Sequence, residues 1–110
     1  MTAALKDAYA LISAYKAGQL APGSPITAEQ GELLARLADD LAVDGPRNDP
    51  EALVLPIAQA DSHWHRQAAD IVIAFHDLKE AGALDEAEAR RSEFMRLCPS
   101  TWYRGVVSGL

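Results

Sequence analysis

The sequence predicts an all-α protein, a compact bundle of four main helices of which one is long and central, and three observations carry that expectation. First, from Ile57 to Leu78 the residues Ile57, Trp64, Ile71 and Leu78 recur every seventh position, with Ala60, Ala68, Ala74 and Phe75 filling the turns between. That is the pattern of a helix burying one wide face. Second, alanine is abundant while Val, Ile and Thr are sparse outside a few places. Third, helix-starting and helix-stopping residues punctuate the chain at intervals of a helix length. The run Ile71 to Phe75 could be a buried strand on composition alone. The seven-residue spacing on both sides of it, and the helix formers Gln67, Ala68, Ala69, Lys79, Glu80 and Ala81 around it, decide for helix.

Taken in order, Thr2 to Ala17 puts Leu5, Ala8, Tyr9, Leu11, Ile12 and Tyr15 on one broad face, with Thr2 placed to cap the start and Gly18 to end it. Gln19 to Ile26, with Pro22, Gly23 and Pro25, is a connection. Thr27 and Gln30 form a capping box opening a helix to about Val43, with Leu34, Leu37, Ala38 and Leu41 inward and Leu33 beside them. Asp44 to Asp49 is a second connection, and Asp49 before Pro50 reads as a cap followed by proline at the first helical position. A proline inside a helix costs about 3 kcal/mol. A short turn over Pro50 to Leu55 is therefore expected, with the central helix starting afresh at Pro56 and ending near Ala81; a helix kinked at Pro56 is the alternative.

Gly82 stops that helix, and Asp85 with Glu88 forms a second capping box for a helix over about 85–97 that buries Ala87, Phe94, Leu97 and Cys98. Glu86 and Arg90 add a favourable pair four residues apart. So short a link turns this helix back antiparallel on the central one, which should itself be covered on most sides. Pro99 ends it, and Ser100 caps a short C-terminal amphipathic segment carrying the stripes Trp102, Val106, Leu110 and Tyr103, Val107.

At 110 residues, 49% hydrophobic and 24% charged, the chain fits a single domain with its own core. It has no apolar run of bilayer length and no export-signal pattern, so a soluble cytoplasmic protein is expected. One cysteine, Cys98, excludes an internal disulfide and a cysteine-built zinc site, and reads as a small buried side chain. The net charge of −6 is uneven. Between Glu29 and Glu51 seven acidic residues face two arginines, whereas between Arg90 and Arg104 four arginines face Glu93 alone. Phosphates would be repelled by the middle of such a chain, so nucleic acid is a disfavoured partner and a basic protein surface a favoured one.

The one string suggestive of chemistry is Asp61, His63, His65. On a strand these would share a face. On a helix, residues two apart point about 200° from each other, so only Asp61 and His65 could share an ion, and His76 lies about 16 Å further along. Asp70, Asp77 and Glu80 read as a solvated polar side. There is no phosphate loop, nucleophile elbow or HExxH pair. Arg90, Arg91 and Arg96 are the only phosphate-contact candidates, and the helix after Thr27 is too acidic to read DNA.

The expectation is thus a small, acidic, non-catalytic interaction protein without a cofactor: a regulator, inhibitor or immunity-type partner occupying another protein's surface, including one that otherwise holds nucleic acid. Its contact residues would be Asp39, Asp40 and Asp44 in the acidic stretch and Trp102, Tyr103 and Arg104 near the C-terminus. The alternative is a metal- or ligand-binding helical domain using His63, His65 or His76 with carboxylates. A third reading is a helix-mediated homodimer with a structural role.

Overall fold

A computed structural model describes residues 3–18 and 25–110, with Ala3 and Ala4 described by backbone alone. The protein is all-helical: five helices and no strand are found among the described residues. They are α1 (Ala3–Lys16), α2 (Ala28–Asp40), α3 (Pro50–Glu80), α4 (Leu84–Leu97) and α5 (Thr101–Ser108). The chain divides into two compact units, Met1–Asp61 and Ser62–Leu110, so the boundary falls inside α3.

In the first unit α1 packs against α2 and buries Ala8, Tyr9 and Ile12, the inner part of the expected face. Gly18, at φ +75°, ends it by donating to the Tyr15 carbonyl at 3.1 Å. The Thr2 cap, and residues 19–24 of the connection, lie outside the described residues. At the start of α2 the capping box is present, Thr27 Oγ1 accepting from the Gln30 amide and Gln30 Oε1 from the Thr27 amide, both at 3.1 Å. Leu34, Leu37, Ala38 and Leu41 are buried and Leu33 is half-buried, as the spacing predicts.

This helix stops at Asp40, short of the expected Val43. Its end is a Schellman turn, in which the Val43 amide donates to the Ala38 carbonyl at 2.8 Å and the Ala42 amide to that of Asp39 at 3.4 Å. The turn needs one left-handed residue, and Ala42 takes φ +55° although its Cβ makes that conformation cost roughly 1 kcal/mol. Burial of Leu41 and Val43 on either side offsets the cost.

The break expected at Pro56 does not occur: α3 is one continuous helix from Pro50 through Pro56 to Glu80. Asp49 Oδ1 accepts from the Ala52 amide at 3.4 Å, so the cap before Pro50 is as expected. The proline is tolerated because Leu53 and Ile57, four apart and both fully buried, dock the helix on either side of it. Two such side chains are worth about 1.5–3 kcal/mol each, enough to outweigh one lost hydrogen bond and its steric penalty. Ala52, whose carbonyl loses its backbone donor, is exposed to water.

In the second unit, the later half of α3 buries only Ala68 and Phe75, with Trp64, Ile71, Val72 and Leu78 half-buried and Ile73 61% exposed. The expectation of a helix covered on most sides therefore fails here, because α4 covers one stripe and leaves the neighbouring one open. The helix ends in a second Schellman turn with Gly82 as the left-handed residue (φ +80°), the Ala83 amide donating to the Leu78 carbonyl at 2.8 Å. α4 then doubles back on α3, as the short link requires, bringing Phe94 edge-on to Trp64 with ring centres 6.0 Å apart.

The Asp85 and Glu88 capping box is not formed. Ala83 closes α3 and is also the N-cap of α4, so the helix begins at Leu84 and Asp85 already lies inside its first turn. There Asp85 and Glu86 favour the helix dipole without capping, and Glu88 pairs with Arg91 at 2.6 Å. Ala87, Phe94 and Cys98 are buried as expected, but Leu97 is 55% exposed, since it lies on the α4 face turned toward the open stripe. Ser100 Oγ caps α5 by accepting from the Tyr103 amide at 3.2 Å. α5 packs on α4, and of its two stripes Tyr103 and Val107 form the buried one.

Candidate functional site

The open stripe of α3 and the adjoining face of α4 enclose a groove of about 650 Å³ within the second unit. Two periodicities build it. On α3, Trp64, Gln67 and Ile71 step along the edge of the buried Ala68 and Phe75 stripe; on α4, Glu86, Arg90, Glu93 and Leu97 step beside the buried Ala87 and Phe94 stripe. The wall is Trp64, held between the edge of Phe94 and the His63 ring, whose centre is 4.8 Å away. Both contacts are edge-to-face, an arrangement that aromatic pairs favour.

Charges on the rim are paired along α4 itself. Arg90 lies 3.8 Å from Glu86, and Arg96 donates to Glu93 at 2.7 Å. The groove is thus an apolar trough with a zwitterionic edge. It offers surface and shape for recognition, and its ends present Leu97 and Ile71 to whatever lies in it.

In the first unit the polar side chains do other work. Tyr9 donates its hydroxyl to Asp40 Oδ2 at 2.6 Å, and Lys16 reaches Asp61 Oδ2 at 2.8 Å, where the carboxylate side chain is only 5% exposed. Arg47 donates to Asp39 Oδ1 at 3.0 Å and to the carbonyls of Val43 and Gly45, bracing the connection after α2. A smaller concavity of about 330 Å³ lies beside Gly31, Glu32, Arg47 and Pro50. It exists because Gly31 lets Pro50 come close: a Cβ there would stand 3.1 Å from Pro50 Cγ.

These contacts place each residue singled out from the sequence. Asp40 is engaged by Tyr9 and Asp39 by Arg47, while Asp44 is exposed. Tyr103 is buried with its ring 6.2 Å from that of His65, Trp102 is half-buried and Arg104 exposed, so of the C-terminal trio chiefly Arg104 faces solvent. Asp61 is the partner of Lys16, and His63, His65 and His76 are all exposed. Among the described residues no three His, Cys, Asp or Glu side chains gather as a metal site would require. Trp64, Ile71, Phe94 and Leu97, which form the groove, read in the sequence only as core. Their apolar spacing is the same signal in either role.

No protein-family model, curated protein or solved structure matches this chain. No helix among the described residues is long and apolar enough to cross a membrane.

Proposed function

We propose that the protein is a non-catalytic interaction module, a cytoplasmic regulator, inhibitor or immunity-type partner, that binds protein through the α3–α4 groove. One observation carries this reading: an apolar trough lined by a half-buried tryptophan is left open beside a leucine that is 55% exposed at a helix end. Tryptophan is among the residues enriched at interface hot spots, and a groove between two helices accepts the apolar face of a third. The rim charges, already paired along α4, support orientation of a partner more than proton transfer. The acidic stretch contributes less to this reading than its sequence suggests, since Asp40 accepts from Tyr9 and Asp39 is already paired with Arg47 at the surface.

The test is capture from source cells with the purified chain as bait, identification of what is bound, and reassembly from purified components. Leu97→Asp is expected to abolish the reassembled complex, while Val106→Asp, at a site 49% exposed outside the groove, leaves it intact. Equal behaviour of the two variants, or no reassembled complex at all, would remove the proposal.

A further inference from the structure

We infer that the groove's occupant is the same groove of a second copy, giving a two-fold dimer in which α4 runs antiparallel to α4 of the partner copy. This rests on the groove being an interaction surface and adds what fills it.

The argument is from charge. The chain carries −6 overall, so two copies repel over most of their surface. Along α4 the balance is nearly even, with Asp85, Glu86, Glu88 and Glu93 against Arg90, Arg91 and Arg96. A second acidic chain therefore meets less opposition here than along the acidic stretch from Glu29 to Glu51.

The groove edge is also complementary to its own reverse. Arg90 and Glu93 both line the groove. When α4 is laid antiparallel on a copy of itself about an axis between Arg91 and Ser92, Arg90 faces Glu93 of the other copy and Glu93 faces its Arg90. A two-fold axis makes every such contact twice. The small Ala89, also on the groove face, then lies opposite Phe94, and Leu97 of each copy reaches the end of the other's groove where Glu86 stands. Shifting the axis toward the turn by two residues would oppose Glu86 to Glu93 in both directions, so the charges disfavour that register.

Sedimentation equilibrium of the full chain tests this from about 1 to about 100 μM, a range that brackets micromolar association. The expected mass at the upper end is twice 11.8 kDa. Arg90→Glu and Glu93→Arg should each weaken association by about tenfold or more, the effect of opposing like charges in a close interface, and the double swap should recover most of it. Both positions are exposed, and unchanged helical circular dichroism would show that each variant folds. A monomer throughout the range, a dimer indifferent to the single swaps, or a double swap no better than the singles would overturn the inference. A monomeric wild type that still loses a different purified partner on Leu97→Asp would overturn the self-pairing alone and leave the groove as a site for a foreign protein.

Discussion

The two units use the same residue types to opposite ends. In the first, polar side chains join segments far apart in sequence: Tyr9 to Asp40 across 31 positions and Lys16 to Asp61 across 45. In the second, the ion pairs that decorate α4 all lie within a single turn, Glu86 with Arg90, Glu88 with Arg91 and Glu93 with Arg96. Local pairs steady a helix by some tenths of a kcal/mol but say nothing of what it packs against. Long-range pairs to a buried carboxylate tie elements together and leave those groups little capacity for anything else. The first unit is thereby closed over its polar groups, and the second keeps an apolar face open.

That contrast can be tested in steps of decreasing size. The largest concerns leucines. Leu37, fully buried in the first unit, should cost about 3 kcal/mol on replacement by alanine, whereas the same change at Leu97 should cost under about 0.5 kcal/mol. Urea unfolding of the two variants at a concentration where the chain is monomeric measures both, and similar losses there would mean that Leu97 packs within its own chain.

Next come the cations. Lys16→Met takes the ammonium away from a carboxylate that is 3% exposed as a residue, and should cost about 2 kcal/mol. That is below the full figure for a buried pair because the Lys16 side chain is 32% open to solvent. Arg91→Ala removes only a one-turn pair and should cost about 0.5 kcal/mol. The same denaturant series compares them, and equal losses would erase the distinction between the units.

The smallest effect has opposite signs in the two halves. The Schellman turns after α2 and α3 share one backbone pattern with alanine at the left-handed position of the first and glycine at that of the second. Ala42→Gly should therefore gain about 0.5–1 kcal/mol and Gly82→Ala lose about 1 kcal/mol, read as shifts of the unfolding midpoint. Neither change meets a steric obstacle, since nothing lies within 4 Å of a Cβ at Gly82 and Ala42 is exposed.

Much of the fold was legible because helix ends are written locally. Thr27 with Gln30, Asp49 before Pro50, Gly82 and Ser100 each satisfy backbone donors or acceptors within a few residues, and each sits where the sequence puts it. What escaped depends on distant partners. Pro56 is kept inside a helix by the burial of Leu53 and Ile57, which no local pattern reveals. Asp85 fails to cap because Ala83 already serves two helices at once.

The candidate site was the least legible part, for the same reason. Periodicity shows that Trp64, Ile71 and Leu97 belong to apolar faces, but whether a face is covered depends on how far α4 lies from it. Asp40 resembles a surface acid until Tyr9, from another helix, is seen to donate to it. The acidic run is a matter of composition, whereas the contacts of Asp39 and Asp40 come from the fold.

Pro56 carries a last consequence, in how the longest helix breathes. A proline has no amide hydrogen, so the Ala52 carbonyl receives nothing from the position one turn ahead, and the ladder of backbone bonds along α3 has a missing rung. Opening that starts at Pro50 meets this gap before it meets the anchored side chain of Ile57. Once Leu53 leaves its buried place, the turn ahead of the gap can therefore exchange its hydrogens with solvent deuterium without disturbing Ile57, while the amides beyond the gap wait for a larger and rarer excursion.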